Sequence, residues 1–213
     1  MIEYSDWERT NMIDKTVNAL KKNGFNVLYF ESRQEALQDM LREIPFDALV
    51  AWGCSVTLEQ VGILEGLRDR GQKLIEFAIE GESFQENIAR RRQALLSDVY
   101  LTGTNAITTT GKLVNTDGTG NRVAAMAFGP GKVYIVAGIN KIVENVEQAF
   151  DRIAGVAAPL NGKRLGRKTP CALNGRCVDC ESSDRMCNTT VIMHKKARAS
   201  DVSIILIGEE LGY

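Results

Sequence analysis

The distribution of cysteine is the most specific chemical signal in this 213-residue chain. Four of the five cysteines fall between positions 171 and 187, with the spacing C-x5-C-x2-C-x6-C. Cysteine thiolates hold iron–sulfur clusters and tetrahedral zinc, and clustered cysteines in a reducing compartment favour such sites over disulfides. We therefore predict a [4Fe–4S] cluster, or alternatively zinc, bound by Cys171, Cys177, Cys180 and Cys187. Free thiols in a loop, or a disulfide between two of them, are the other interpretation.

Basic residues surround the first two of these cysteines. No acid lies between positions 161 and 176, and five basic residues do: Lys163, Arg164, Arg167, Lys168 and Arg176. Four thiolates around a cluster leave net negative charge, so a basic neighbourhood would stabilise it and raise its reduction potential.

A second candidate site follows a predicted buried strand that ends at Trp52. Ligands of open α/β sheets bind beyond the carboxyl ends of strands, where helix amides and hydroxyls offer donors to an anion. The sequence thus predicts anion binding by Gly53, Ser55 and Thr57, with Glu59 as a candidate catalytic carboxylate. The glycine spacing matches neither a Walker nor a dinucleotide fingerprint, and a simple helix cap is the alternative.

Two polar, glycine-punctuated loops, at positions 102–105 and 113–122, form the third candidate site. Each accompanies an apolar run, so both are expected at one edge of a sheet. Arg122 is a candidate bidentate clamp for a carboxylate or phosphate. Asp117 is a candidate general base, with an ordinary Asp-Gly turn as the alternative. The other predicted ligand-binding residues are Thr104, Asn105, Asn115, Thr119 and Asn121.

The elements that must position these residues alternate between helix and strand in the first half of the chain. Apolar residues at helical spacing and short apolar runs bounded by turn residues are the signals. Helices are predicted over 5–22, 35–42, 58–70 and 87–96, and strands over 25–30, 48–52 and 73–77. This alternation predicts a mostly parallel sheet with helices on both faces.

The second half is more varied. Strands are predicted over 99–101, 106–108, 112–114, 133–137 and 202–207, and helices over 122–128 and 143–153. The two strands on either side of Thr109-Thr110-Gly111 are predicted to form a β-hairpin. Residues 158–188 show no periodicity, so an irregular, Cys-rich segment (158–190) is expected inside a single α/β domain that spans 1–213.

Composition excludes several classes of protein. The 26 basic and 27 acidic residues nearly cancel, which argues against nucleic-acid binding. The longest apolar stretch is interrupted by Gly129-Pro130-Gly131, so no membrane span is expected. The N-terminus lacks the pattern of a signal peptide, and the cytoplasm is the expected location. The single histidine disfavours His-rich zinc sites and a Ser-His-Asp triad.

Three blocks of sequence resemble the lactate-utilisation (LUD) domain family: AWGCSVTLEQVG at 51–62, the long block at 101–140, and the Cys-rich stretch at 158–188. The terminal Leu-Gly-Tyr fits as well. The resemblance implies an α/β fold similar to that of ribose-phosphate isomerase, glucosamine-phosphate isomerase and coenzyme A transferases. It also implies an association with the oxidation of L-lactate to pyruvate, beside iron–sulfur or oxidoreductase partner subunits.

Three functional hypotheses follow. The first is a subunit or auxiliary of a lactate-oxidising system that binds a small carboxylate or phosphate-bearing anion and an iron–sulfur cluster. The second is a free-standing enzyme that acts on a sugar phosphate or an acyl-CoA. The third is a metal-binding interaction module without catalysis. Each of them is compatible with a homo-oligomer.

Overall fold

A six-stranded parallel sheet forms the centre of the fold. The computed structural model describes residues 4–77 and 79–213, with side chains from Trp7 onward. Within these residues the sheet has the order β1-β10-β7-β4-β2-β3, and every neighbouring pair is parallel. Its strands are β1 Asn26–Phe30, β2 Leu49–Trp52, β3 Lys73–Leu74, β4 Val99–Gly103, β7 Lys132–Gly138 and β10 Asp201–Ile207.

Helices cover both faces of this sheet, as predicted. One face packs against α1 (Tyr4–Lys22) and α6 (Asn121–Phe128), and the other against α2 (Arg33–Glu43), α3 (Val56–Val61) and α4 (Ile63–Asp69). Helix α5 (Phe84–Gln93) precedes β4. Both α2 and α5 begin at a capping box, which satisfies the free amides of the first turn. No helix of the described chain is long and apolar enough to cross a bilayer.

Strand β10 shows why the sheet is buried on both sides. Successive side chains of a strand point to opposite faces. Val202, Ile204 and Leu206 therefore belong to the core cluster on one face, whereas Ile205 and Ile207 belong to the cluster on the other. A continuous apolar run is the expected sequence of a parallel strand covered on both faces.

A second, mixed sheet packs beside the first, with the order β8-β5-β6-β9. Its strands are β5 Ala106–Thr108, β6 Leu113–Asp117, β8 Ile142–Val143 and β9 Thr189–Met193. The predicted hairpin is confirmed as the antiparallel pair β5–β6. Gly111 in its turn has φ of +76°, and a Cβ there would lie 2.6 Å from the backbone of Ala19. Only glycine fits this close approach to α1.

Several predicted boundaries are wrong. The helix expected over 58–70 is two helices, α3 and α4, because Gly62 ends the first in the left-handed conformation. The strand expected over 73–77 ends at Leu74. The helix expected from Val143 begins three residues later, as α7 (Val146–Arg152), because Val143 pairs with β5 in the second sheet.

The segment after α7 is more helical than the sequence suggests. One turn of π-helix (Ile153–Ala157) joins α7 to α8 (Ala158–Arg164), and a short helix α9 (Pro170–Asn174) follows. Low-propensity residues hide this continuation: glycines at 155 and 162, and Pro159, which directly follows the π-helical turn. Residues 175–188 contain neither helix nor strand, as predicted.

Candidate functional site

A cavity of about 470 Å³ lies at the carboxyl-terminal edge of the parallel sheet. The chain segments that leave four adjacent strands reach it. Residues 54–57 follow β2, 103–105 belong to the end of β4 and the turn after it, Lys141 follows β7, and Tyr213 ends the segment that follows β10. This edge is where open α/β sheets bind ligands.

The wall of the cavity carries an excess of positive charge. Six basic side chains line it, against two carboxylates, Asp117 and Asp184. The basic residues are Arg91, Arg122, Lys141, Arg164, Arg167 and Arg185. Four of them are ion-paired, two with acids outside the lining (Glu59 and Asp179), so Arg91 and Lys141 are the basic lining residues without an ion pair among the described residues.

Lys141 is the most unusual of these groups. Its side chain lines the cavity although the residue is only 3% exposed. The ammonium Nζ donates a hydrogen bond to Thr57 Oγ1 at 2.7 Å, and no carboxylate of the described chain is ion-paired with it. Burial, together with the nearby charges of Arg152 and Arg122, lowers the pKa of Lys141 to about 7. A buried lysine without a counter-charge is poised to receive one from a ligand.

The C-terminal segment packs over this lysine. The Gly212 amide donates to Gln60 Oε1 at 2.6 Å, and the Asn140 side chain donates to the Gly212 carbonyl at 3.2 Å. Gly212 has φ of +60°, and a Cβ there would collide with Thr57 Oγ1, the acceptor of the Lys141 hydrogen bond, so only glycine fits over this pair. The terminal Tyr213 hydroxyl accepts a 2.6 Å hydrogen bond from Arg164 Nε. The tail therefore forms part of the cavity wall.

Arg122 is held by the protein itself. Its Nε faces Asp117 Oδ2 at 3.3 Å, and Nη1 donates to Asn115 Oδ1 at 2.6 Å and to the Gly103 carbonyl at 3.3 Å. Its Nη2 donates to Asn105 Oδ1 at 3.1 Å and to the Thr116 carbonyl at 2.9 Å. These contacts occupy all five guanidinium N–H groups. Arg122 therefore ties the loops together, and in this arrangement it has no donor left for a bidentate ligand.

Asp117 has a comparable role. Its Oδ1 accepts hydrogen bonds from the amides of Thr119 (3.0 Å) and Gly120 (2.8 Å), and its Oδ2 pairs with Arg122. This is the Asx-type turn that the sequence offered as the alternative to a general base. Both carboxylate oxygens are engaged in holding the loop.

The structure brings most of the predicted site residues together. Ser55, Thr57, Thr104, Asn105, Asp117, Thr119, Asn121 and Arg122 all line the cavity. Ser55 also caps α3, as the alternative interpretation proposed.

Three predicted residues do not line the cavity. Gly53 lies against Arg122, and a Cβ there would come within 3.1 Å of the Arg122 side chain. Asn115 Oδ1 accepts hydrogen bonds from Arg122 Nη1 and from the Asn105 amide. Glu59 is half exposed and faces Arg164 at 3.8 Å. Glu59 is therefore badly placed for the catalytic role that the sequence suggested.

Sequence reasoning missed Lys141, which the tertiary structure singles out. The available signal was its position as a lone basic residue inside the apolar run VYIVAGINKIV. A lysine in such a run is rarely exposed on all sides, and its burial requires a reason.

All four clustered cysteines line a second, smaller cavity of about 30 Å³. They are free thiols, and no group of three or more His, Cys, Asp and Glu residues in the described ranges is arranged as a metal-ion site. Burial raises the pKa of Cys187, and so does the proximity of the thiols of Cys171, Cys177 and Cys180, whereas Arg185 lowers it. The fifth cysteine, Cys54, lies apart on the larger cavity.

The fold and the cavity define this chain as an α/β protein with a cavity at the carboxyl edge of a parallel sheet. The sequence profile of the LUD domain matches residues 13–207, so the chain belongs to the LUD domain family, which is associated with lactate utilisation.

The crystal structure of a DUF162 family protein from Deinococcus radiodurans is similar to this chain, with a TM-score of 0.53. The two are 14% identical, and the match covers 94% of this chain and 98% of the other. At this identity the likeness shows a shared fold alone. No curated protein matches the chain in sequence.

Proposed function

We propose that this protein binds a small carboxylate, such as lactate or pyruvate, in the 470 Å³ cavity. We further propose that it serves as a subunit or auxiliary of a system that oxidises L-lactate to pyruvate. The observation that carries the proposal is Lys141, a buried ammonium group that faces the cavity without a carboxylate partner.

The energetics favour an anion at this position. Burying a charge is costly unless a partner of opposite sign compensates. An incoming carboxylate would supply that partner and would raise the pKa of Lys141 back toward its ordinary value. Arg91, which has no ion pair among the described residues, adds long-range attraction, whereas Arg122 is already saturated by protein acceptors.

The family supports the identity of the anion. LUD domain proteins are associated with lactate utilisation, and lactate and pyruvate are small carboxylates of the kind that one lysine and a few hydroxyl groups can hold. Thr57, which accepts the hydrogen bond of Lys141, and Ser55 supply such hydroxyl groups on the same wall.

A ligand panel tests the proposal. Thermal unfolding is followed with L-lactate, pyruvate, a sugar phosphate and coenzyme A, for the wild type, Lys141→Met and Lys15→Met. Lys15 is an exposed lysine of α1 and serves as the matched control. A ligand at 100 times its dissociation constant stabilises by about 2.7 kcal/mol. We expect lactate or pyruvate to stabilise the wild type and Lys15→Met, and to lose this effect in Lys141→Met.

Two outcomes would contradict the proposal. Stabilisation by the sugar phosphate or by coenzyme A, without an effect of either carboxylate, would favour a free-standing enzyme on those substrates. An equal response of Lys141→Met and Lys15→Met would show that the carboxylate binds elsewhere.

A further inference from the structure

The anion cavity leaves the four clustered cysteines unexplained. We propose that their thiolates bind one metal centre at the border of that cavity, as an iron–sulfur cluster or a zinc ion. The four ligands are Cys171, Cys177, Cys180 and Cys187.

The first support is convergence. The cysteines come from helix α9 and from a segment without regular structure, yet all four line the same small cavity, together with Ala158 and Met186. Cys171 is fixed by its place in the first turn of α9, which begins at Pro170. The other three lie in residues 175–188, which carry no helix or strand.

The second support is a single guanidinium group that organises the loop. Arg185 Nη1 donates to the Cys180 carbonyl at 2.7 Å, and its Nε donates to the Cys187 carbonyl at 3.1 Å. Its Nη2 pairs with the Asp179 carboxylate at 2.7 Å. One side chain therefore fixes the backbone at two of the four cysteines. It also places a positive charge beside groups that become negative when they bind metal.

The third support is the turn between Cys177 and Cys180. Asp179, inside this turn, has φ of +47°, the one left-handed non-glycine conformation in the described chain. Its amide N–H donates to Cys177 Sγ at 3.5 Å. Aspartate is one of the few residues besides glycine that adopt this conformation in turns, so the sequence permits this tight turn between the two cysteines. N–H donors to cysteine sulfur are a recurrent feature of thiolate metal ligands.

The loop is docked against the wall of the anion cavity. The Asn188 amide donates to the Asp117 carbonyl at 3.1 Å, and the Asn188 side chain donates to the Gly118 carbonyl at 3.0 Å. Cys187 and Arg185 line both cavities. A metal centre at the four thiols would therefore border the site that we propose for the carboxylate.

Metal analysis of anaerobically purified protein tests the centre. Iron, acid-labile sulfide and zinc are measured for the wild type, for Cys177→Ser and Cys180→Ser, and for Cys54→Ser as the matched control. We expect one centre per chain in the wild type and in Cys54→Ser, and its loss in the other two variants. Iron with sulfide and a visible charge-transfer band would identify a cluster, and zinc alone would identify a zinc site.

A wild-type measurement guards against variants that fail to fold. X-ray absorption at the metal edge identifies the ligand atoms directly: we expect four sulfurs around zinc in a zinc site, or iron bound by sulfur with iron neighbours in a cluster. For the organising role of Arg185, we expect Arg185→Gln to weaken metal binding roughly 10- to 100-fold, as is typical of groups behind the ligands. Arg198→Gln, at an exposed arginine outside the Cys-rich segment, should bind as the wild type does.

The proposal is overturned if the wild type holds neither metal after iron–sulfide reconstitution or zinc addition, or if the bound metal has no cysteine ligands. None of these measurements requires the carboxylate, so failure here leaves the proposed anion site untouched. Likewise, if no carboxylate stabilises the protein in the ligand panel, the proposal of a metal centre is unaffected.

Discussion

Replacing Lys141 with methionine removes the buried charge and keeps most of the side-chain volume. In the folded protein the pKa of Lys141 is about 7, against an ordinary value of 10.5. Between these two pH values the lysine is protonated in the unfolded chain and neutral in the folded one. The unfolded state then binds more protons, so the stability of the wild type rises with pH across this window.

The magnitude follows from the two pKa values. Each pKa unit corresponds to about 1.4 kcal/mol, so burial of the charged form costs at most about 5 kcal/mol. That cost is fully present below pH 7 and is relieved as the pH rises. Between pH 7 and pH 9 the wild type should gain about 2 kcal/mol of stability that Lys141→Met does not gain. Near pH 6 we expect the methionine variant to be the more stable protein.

Urea denaturation at pH 6, 7, 8 and 9 measures this difference. Subtracting the curve of Lys141→Met from that of the wild type cancels the cysteine and tyrosine titrations that both proteins share. Lys15→Met, with its exposed lysine, should show no such pH-dependent difference. A gap between the wild type and Lys141→Met that stays constant from pH 6 to pH 9 would mean that Lys141 titrates normally, and the argument for an uncompensated buried charge would fail.

Three further predictions concern the same region and the scaffold. At pH 8, binding of lactate or pyruvate should be accompanied by proton uptake, because the ligand raises the pKa of Lys141. Calorimetry in buffers of different ionisation enthalpy measures the number of protons taken up. A heat of binding that does not depend on the buffer would contradict this prediction. Arg122→Met should lower the free energy of unfolding by about 3–5 kcal/mol, since it leaves the mostly buried Asp117 carboxylate without its ion-pair partner. Urea denaturation measures this loss, with Arg42→Met, at an exposed arginine, as the control. Gly111→Ala should lower the free energy of unfolding more than Gly81→Ala does. Both glycines have positive φ, but only at Gly111 would the new Cβ lie 2.6 Å from the backbone of another segment. Equal losses of stability in urea denaturation would exclude this collision.

Local pattern determined much of the fold. The apolar runs at β2, β7 and β10 could be assigned to buried parallel strands because a strand covered on both faces is apolar at nearly every position; β1 was also found, but it lies at the edge of the sheet and is only half-buried. The Thr-Thr-Gly turn predicted the β5–β6 hairpin in the same way. The spacing of the cysteines placed four of them in one short segment, so any fold that closes this segment brings them near one another.

The errors also have local causes. The helical continuation of α7 from Ala154 to Arg164 was missed because its glycines and Pro159 weaken the helical pattern, while a π-turn and tertiary packing against the hairpin sustain it. Gly62, in turn, interrupts a periodic pattern that looks continuous in sequence.

The chemistry of the site was decided by contacts between residues far apart in the chain. Burial of Lys141 depends on Thr57 and on the C-terminal tail at Gly212, both more than 70 residues away, and no window of sequence contains that information. The same holds for Arg122: its sequence position suggested a ligand clamp, and only the folded loops show that protein acceptors occupy every donor. Sequence periodicity reports which side of an element is apolar, whereas the pKa of a charged group depends on everything that surrounds it in space.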